Sequence, residues 1–136
     1  MVEILEEPSV RRRAVRVSVE TYHRMSEAGM VDRKTELVRG VIIEKRSKSP
    51  LHFSLLGILS DHFTATLPHG WHVRQEGPLS LADSEPDPDI AVVAGVRSHY
   101  LTRHPATAKL VVEINTSNEK LDREMASVYA EAGAAL

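Results

Sequence analysis

Glu85-Pro86-Asp87-Pro88-Asp89-Ile90-Ala91-Val92-Val93 decides how this chain folds, read together with Lys109-Leu110-Val111-Val112-Glu113-Ile114. Each segment sets a carboxylate at the edge of a short run of Val, Ile, Leu or Ala. Runs of that kind, bounded by Pro and Asn, are the pattern of buried strands. A carboxylate inside such a run cannot be buried cheaply without a partner or a metal. Asp89 and Glu113 on neighbouring strands are therefore raw material for a hard-cation site. The competing reading places both at strand ends facing water, as most carboxylates are.

Working outward, Gly70–Glu76 reads as a strand broken by Gly77-Pro78, and Leu79–Leu81 as a short strand or edge segment before an acidic, proline-rich turn. Ser49-Pro50 is a strong helix start, with Ser at the N-cap and Pro in the first turn. Leu55, Leu56, Leu59 and Phe63 then recur at helical spacing until Pro68 and Gly70. Upstream, two β-rich runs flank Gly40 within Glu36–Glu44, which predicts a tight hairpin or a bulge. Ser18 caps a helix that Gly29 stops, and Ser117 or Asn118 caps a last helix that Gly133 ends. The spacing predicts an α/β domain with a mixed sheet and a helix on each face. Its expected core includes Leu55, Leu59, Phe63, Ile90, Val92, Val111 and Val112, with a parallel-type central strand buried on both faces.

Composition narrows the function. The chain has 136 residues, enough for one core, with 42% hydrophobic and 26% charged residues. Cysteine is absent, which excludes disulfides, thiolate zinc sites and cysteine nucleophiles. A net charge of −2 gives no global attraction to nucleic acid, so any such role needs local Arg and Lys. Arg74, Arg97 and Arg103 are candidates to line a phosphate groove, and the run Arg11-Arg12-Arg13 sits in an acidic leader. No apolar run reaches the length of a membrane span and the N-terminus lacks a signal-peptide pattern, which points to a cytoplasmic protein.

Several phrases occur together in order. They are Glu36-Leu-Val-Arg-Gly-Val-Ile-Ile-Glu-Lys45, Ser49-Pro-Leu-His52, Leu67-Pro-His-Gly-Trp-His-Val-Arg-Gln-Glu-Gly-Pro-Leu79, Glu85-Pro-Asp-Pro-Asp-Ile-Ala-Val-Val93, Leu110-Val-Val-Glu113 and Tyr129-Ala-Glu-Ala-Gly133. From about Val17 to Gly133 the chain closely resembles the Uma-type restriction endonuclease family of the PD-(D/E)XK nuclease superfamily. The resemblance implies a restriction-endonuclease-like mixed sheet flanked by helices, lacking a final C-terminal strand. It implies a flexible leader over residues 1–16 and one domain, C-terminally truncated, over residues 17–136. It also implies a metal-dependent endonuclease that hydrolyses DNA. Asp89, Glu113 and Glu36 then stand as the catalytic acids, with Asp89 and Glu113 as ligands of Mg²⁺ or Mn²⁺. His52 and Arg74 are implied or available substrate contacts, DNA is the partner, and an uncovered sheet edge offers a route to a homo-oligomer.

Two departures qualify that expectation. The superfamily's usual lysine falls at Asn115, and the Uma-type lysine of the last helix falls at Met125. A thioether neither neutralises charge nor donates a hydrogen bond, so metal binding is expected to survive with weak cleavage. Lys120 is the nearest substitute in sequence, and Leu121, Met125, Val128 and Ala132 share one apolar face. The alternatives to a nuclease are a catalytically impaired relative that binds DNA or protein, and a fragment without function of its own.

Overall fold

The computed structural model describes residues 4–45, 48–114 and 121–134. Residues 4–13, expected as leader, form a 3-10 turn at Ile4–Glu6 and a short helix α1 (Pro8–Arg13), neither of which buries a side chain. Helix α2 (Val19–Glu27) starts where its cap predicts. The Ser18 hydroxyl accepts from the Thr21 amide at 3.0 Å, satisfying one of the orphan N–H groups of the first turn. Tyr22 is the buried residue of this helix, and its hydroxyl lies 2.7 Å from Thr35 Oγ1.

Strands β1 (Thr35–Val38) and β2 (Val41–Glu44) pair antiparallel, with Val38 opposite Val41. Gly40 thus makes a hairpin rather than a bulge. Arg39 and Gly40 have φ of 52° and 80°, the left-handed pair that a two-residue hairpin turn requires. A Cβ at position 40 would stand 2.7 Å from Arg16 Cβ, so the site needs glycine twice over. Arg39 is held in its strained conformation from outside the hairpin. Its amide donates to Ser84 Oγ at 2.8 Å, and its guanidinium reaches Glu131 at 2.6 Å and Ser127 at 2.8 Å.

Helix α3 (Pro50–Thr66) opens with Ser49 Oγ accepting from the His52 amide at 3.1 Å. Its buried line is His52, Leu56 and Ser60, whereas Leu55, Leu59 and Phe63 are only half-buried. The expected stripe is therefore rotated by part of a turn. The first-turn histidine faces inward against Asp89, and side chains four apart follow it. Leu56→Ala should cost about 2–4 kcal/mol in denaturant unfolding, more than Leu59→Ala. Equal midpoints for the two variants would contradict this placement.

The second sheet runs β3-β4-β5, made of β3 (Trp71–Gln75), β4 (Ile90–Ala94) and β5 (Leu110–Val112). The α/β class stands, but every pairing among the described residues is antiparallel, where the sequence reading has a mixed sheet and a parallel-type central strand. What removes the alternation from β4 is burial of both faces, and parallel pairing is only one way to achieve that. Ala91, Val93 and Val111 share a core with Met125, Val128 and Tyr129 of helix α4 (Leu121–Glu131). Ile90 and Val92, on the opposite face, are equally enclosed. Val112 is half-buried, at the sheet's edge.

Leu79–Leu81 forms no strand. The Leu79 amide donates to Pro86 O and the Leu81 amide to Ser84 O, both at 2.9 Å, but Pro86 and Pro88 have no N–H to return. The same prolines hold Glu85–Asp89 extended. Leu37 and Glu85 exchange backbone hydrogen bonds of 3.2 and 2.7 Å, which lays the hairpin beside that acidic segment. The expected caps Ser117 or Asn118, and Asn115 and Lys120, lie outside the described residues. Among the described residues no helix is long and apolar enough to cross a membrane.

Candidate metal centre

β4 and β5 pair with Ile90 opposite Val112. Continuing that register by one residue sets Asp89 opposite Glu113, and directly opposed residues of an antiparallel pair share a face. The structure thus brings these two acids together. Asp89 is 7% exposed. Its Oδ2 accepts from the Ile114 amide at 2.7 Å, and its Oδ1 lies 3.1 Å from His52 Nε2 and 3.8 Å from Lys48 Nζ. After burial, the charge of Asp89 and a side-chain hydrogen bond with it are among the causes that raise the Glu113 carboxyl. Glu113 receives the Tyr129 hydroxyl on its Oε1.

Glu36 enters from β1. Its Oε2 accepts from the Asp87 amide at 3.0 Å, a contact created by the Leu37–Glu85 bridge. Lys45, immediately after β2, pairs with Asp87. Lys48 pairs with Glu76 as well as facing Asp89. The site is therefore three acids from three strand ends, with two lysines and a histidine around them.

Burial pushes the Glu36 carboxyl up to about 7, with Asp89 adding to the rise and Lys45 opposing it. Burial likewise pushes Glu113 up to about 8; the Tyr129 hydrogen bond works against the rise, and Asp89 and Glu36 reinforce it. Glu113 is solvent-exposed by area yet densely surrounded by protein atoms. Burial also raises the Tyr129 phenol far above its usual range and lowers the Lys45 ammonium.

A carboxyl raised in the fold contributes stability below its unfolded value of 4.5, and this is lost as pH climbs through about 7 to 8. Without added metal, the thermal midpoint should therefore fall between pH 5.5 and 8 more steeply in wild type than in Glu113→Gln. Solvent screening holds the difference to roughly 1 kcal/mol, a few degrees in a scan. Parallel curves for the two proteins would show that the fold does not raise the Glu113 carboxyl.

The donor chemistry fits a hard divalent cation, since Asp89 and Glu113 offer oxygen ligands from one face and Glu36 stands nearby. Among the described residues no three His, Asp or Glu side chains are grouped so as to hold a metal ion; Asp89 and Glu113 form a pair. Of the other sequence candidates, His52 is buried at 8% and meets Asp89 itself. Arg74 lies apart, near Tyr100 and His104. Met125 packs in the apolar core at 6% exposure. Sequence reasoning passed over Lys45, Lys48, Asp87 and Tyr129 as site residues. The one local signal was Lys45 following Glu44 at the exit of a predicted strand.

The family model that matches residues 19–136 is Uma2, described as "Putative restriction endonuclease". Among solved structures, the chain is similar to the crystal structure of a putative nuclease belonging to DUF820 from Anabaena variabilis. The TM-score is 0.58 and the identity 13%, covering 77% of this chain and 65% of that one. At that identity the likeness is one of fold, and this chain spans just under two thirds of the neighbour's length. No curated protein matches the sequence.

Proposed function

Because this chain belongs to the Uma2 family of restriction-endonuclease-like proteins, we propose that it is a divalent-metal-dependent endonuclease that hydrolyses phosphodiester bonds of DNA. The observation that carries this reading is the cross-strand meeting of Asp89 and Glu113 beside Glu36, where burial first, and the neighbouring carboxylates second, raise the Glu36 and Glu113 carboxyls. Acids with perturbed pKa values gathered at one point cluster at functional sites.

In this reading Asp89 and Glu113 bind Mg²⁺ or Mn²⁺, and Glu36 completes the acidic set. When bound, the ion lowers the pKa of an attacking water and stabilises negative charge on the phosphate. The remaining residues position these groups. His52 and the Ile114 amide fix the two oxygens of Asp89, and Tyr129 fixes one oxygen of Glu113. Orientation of ligands by such outer contacts commonly governs affinity and activity. Lys45 supplies positive charge beside the acids from β2, in place of the charge that Met125 does not bring from α4. The test is a plasmid-nicking assay with Mg²⁺ or Mn²⁺ against a chelator control. Metal-dependent nicking supports the reading, and intact supercoiled plasmid under both metals overturns it.

A further inference from the structure

A second polar cavity lies outside the carboxylate cluster. It encloses about 530 Å³ at the outer edge of β3, lined by Ser60 and Thr64 of α3, by Arg74, Gln75 and Gly77, and by Arg97. Arg97 opens the 3-10 turn Arg97–Tyr100 that follows β4. Arg74 is seated with care. Its guanidinium carbon lies 5.8 Å from the centroid of the Tyr100 ring, and the Tyr100 hydroxyl is itself anchored on Ala94 O at 2.8 Å. One terminal nitrogen of Arg74 donates to Pro78 O at 3.3 Å and toward His104 Nδ1 at 3.4 Å. A Cβ on residue 77 would stand 2.7 Å from that nitrogen, so glycine there makes room for the guanidinium.

Three observations mark this as a site for an anion. Among the described residues neither Arg74 nor Arg97 has an Asp or Glu within ion-pair distance. Arg74 Nε is buried without a hydrogen-bond partner among the described residues, and a buried donor left unpaired is costly. The two arginines also repel: burial holds Arg74 below the usual arginine value, and Arg97 lowers it further. The lining residues come from a strand, a turn and a helix, with Arg74 on the sheet face opposite Val73 and Gln75. That spread suits a tetrahedral oxyanion better than a planar carboxylate, and guanidinium forks match phosphate. The position is telling as well. One strand step past Gln75 is Glu76, which holds Lys48, and Lys48 faces Asp89.

We propose that the Arg74–Arg97 pocket binds a backbone phosphate of the DNA, away from the bond that is cut. This rests on the reading of the chain as a DNA-acting protein, and it adds where the strand is held. The pocket reads no base, so it contributes affinity and register without sequence preference.

The experiment is fluorescence anisotropy of a short labelled DNA duplex across a salt titration, in chelator so that no cleavage occurs. Arg74→Ala and Arg97→Ala should each weaken binding about 5-fold to 10-fold. Each should also lower the slope of log affinity against log salt by about 1, and the double variant by about 2. Arg97 is exposed, so its variant answers the question even where Arg74→Ala folds poorly. A slope that Arg97→Ala leaves unchanged overturns the proposal. So does inorganic phosphate binding, measured by calorimetry, that depends on Arg97 while the DNA slope does not. The nuclease reading fails separately. Plasmid nicking absent with both metals, alongside altered salt slopes, leaves the phosphate pocket standing without the chemistry.

Discussion

Asp89→Asn is expected to abolish metal-dependent plasmid nicking, by about 10³-fold or more, while leaving the fold intact. Asparagine preserves the shape and an acceptor for the Ile114 amide, which now donates to Oδ2 at 2.7 Å. It removes the anionic oxygen that faces the shared site with Glu113. Loss of one well-aimed electrostatic group commonly costs on the order of 10²–10³ in rate, and a metal ligand adds its share of affinity. Titration calorimetry with Mn²⁺ should show the matching loss of binding. Stability should move the other way. With one of the two opposed charges gone, Glu113 ionises more easily, and the variant should melt no lower than wild type at pH 8 in chelator. Nicking at the wild-type rate would place the chemistry elsewhere. Lost nicking together with a large drop in melting temperature would mean that Asp89 serves the fold.

The second large effect concerns charge near the acids. Lys45→Ala should lower nicking by roughly 10²-fold, with partial recovery in Lys45→Arg, because Lys45 pairs with Asp87 beside Glu36 and also feels Glu113. Met125→Lys should bring no such gain. Met125 lies among Val38, Leu79, Ala91, Val128 and Tyr129 in the core. An ammonium placed there should cost about 3 kcal/mol or more, read as a lowered denaturation midpoint. Brisk nicking by Lys45→Ala, or a faster Met125→Lys enzyme of unchanged stability, would return the cationic role to α4.

Local sequence settles what neighbouring residues impose on one another. Ser18 and Ser49 cap helices because their hydroxyls reach amides three residues on. Gly40 makes a hairpin because the turn needs left-handed backbone. Ile90–Val93 is a strand because nothing in it tolerates water. Asp89 and Glu113 were legible as a pair because each interrupts an apolar run where an idle acid is costly, and the ordered phrases around them named the family. The remaining features depend on packing between distant segments. Antiparallel pairing of β4 and β5 is invisible to a pattern that records only burial. Leu56 rather than Leu59 is enclosed because the rotation of α3 follows His52 onto Asp89. Lys45 finds Asp87 across 42 residues and Arg39 finds Glu131 across 92. Side chains so far apart in sequence meet only when the sheet and helices pack, and local propensity carries no record of which strand end will face which.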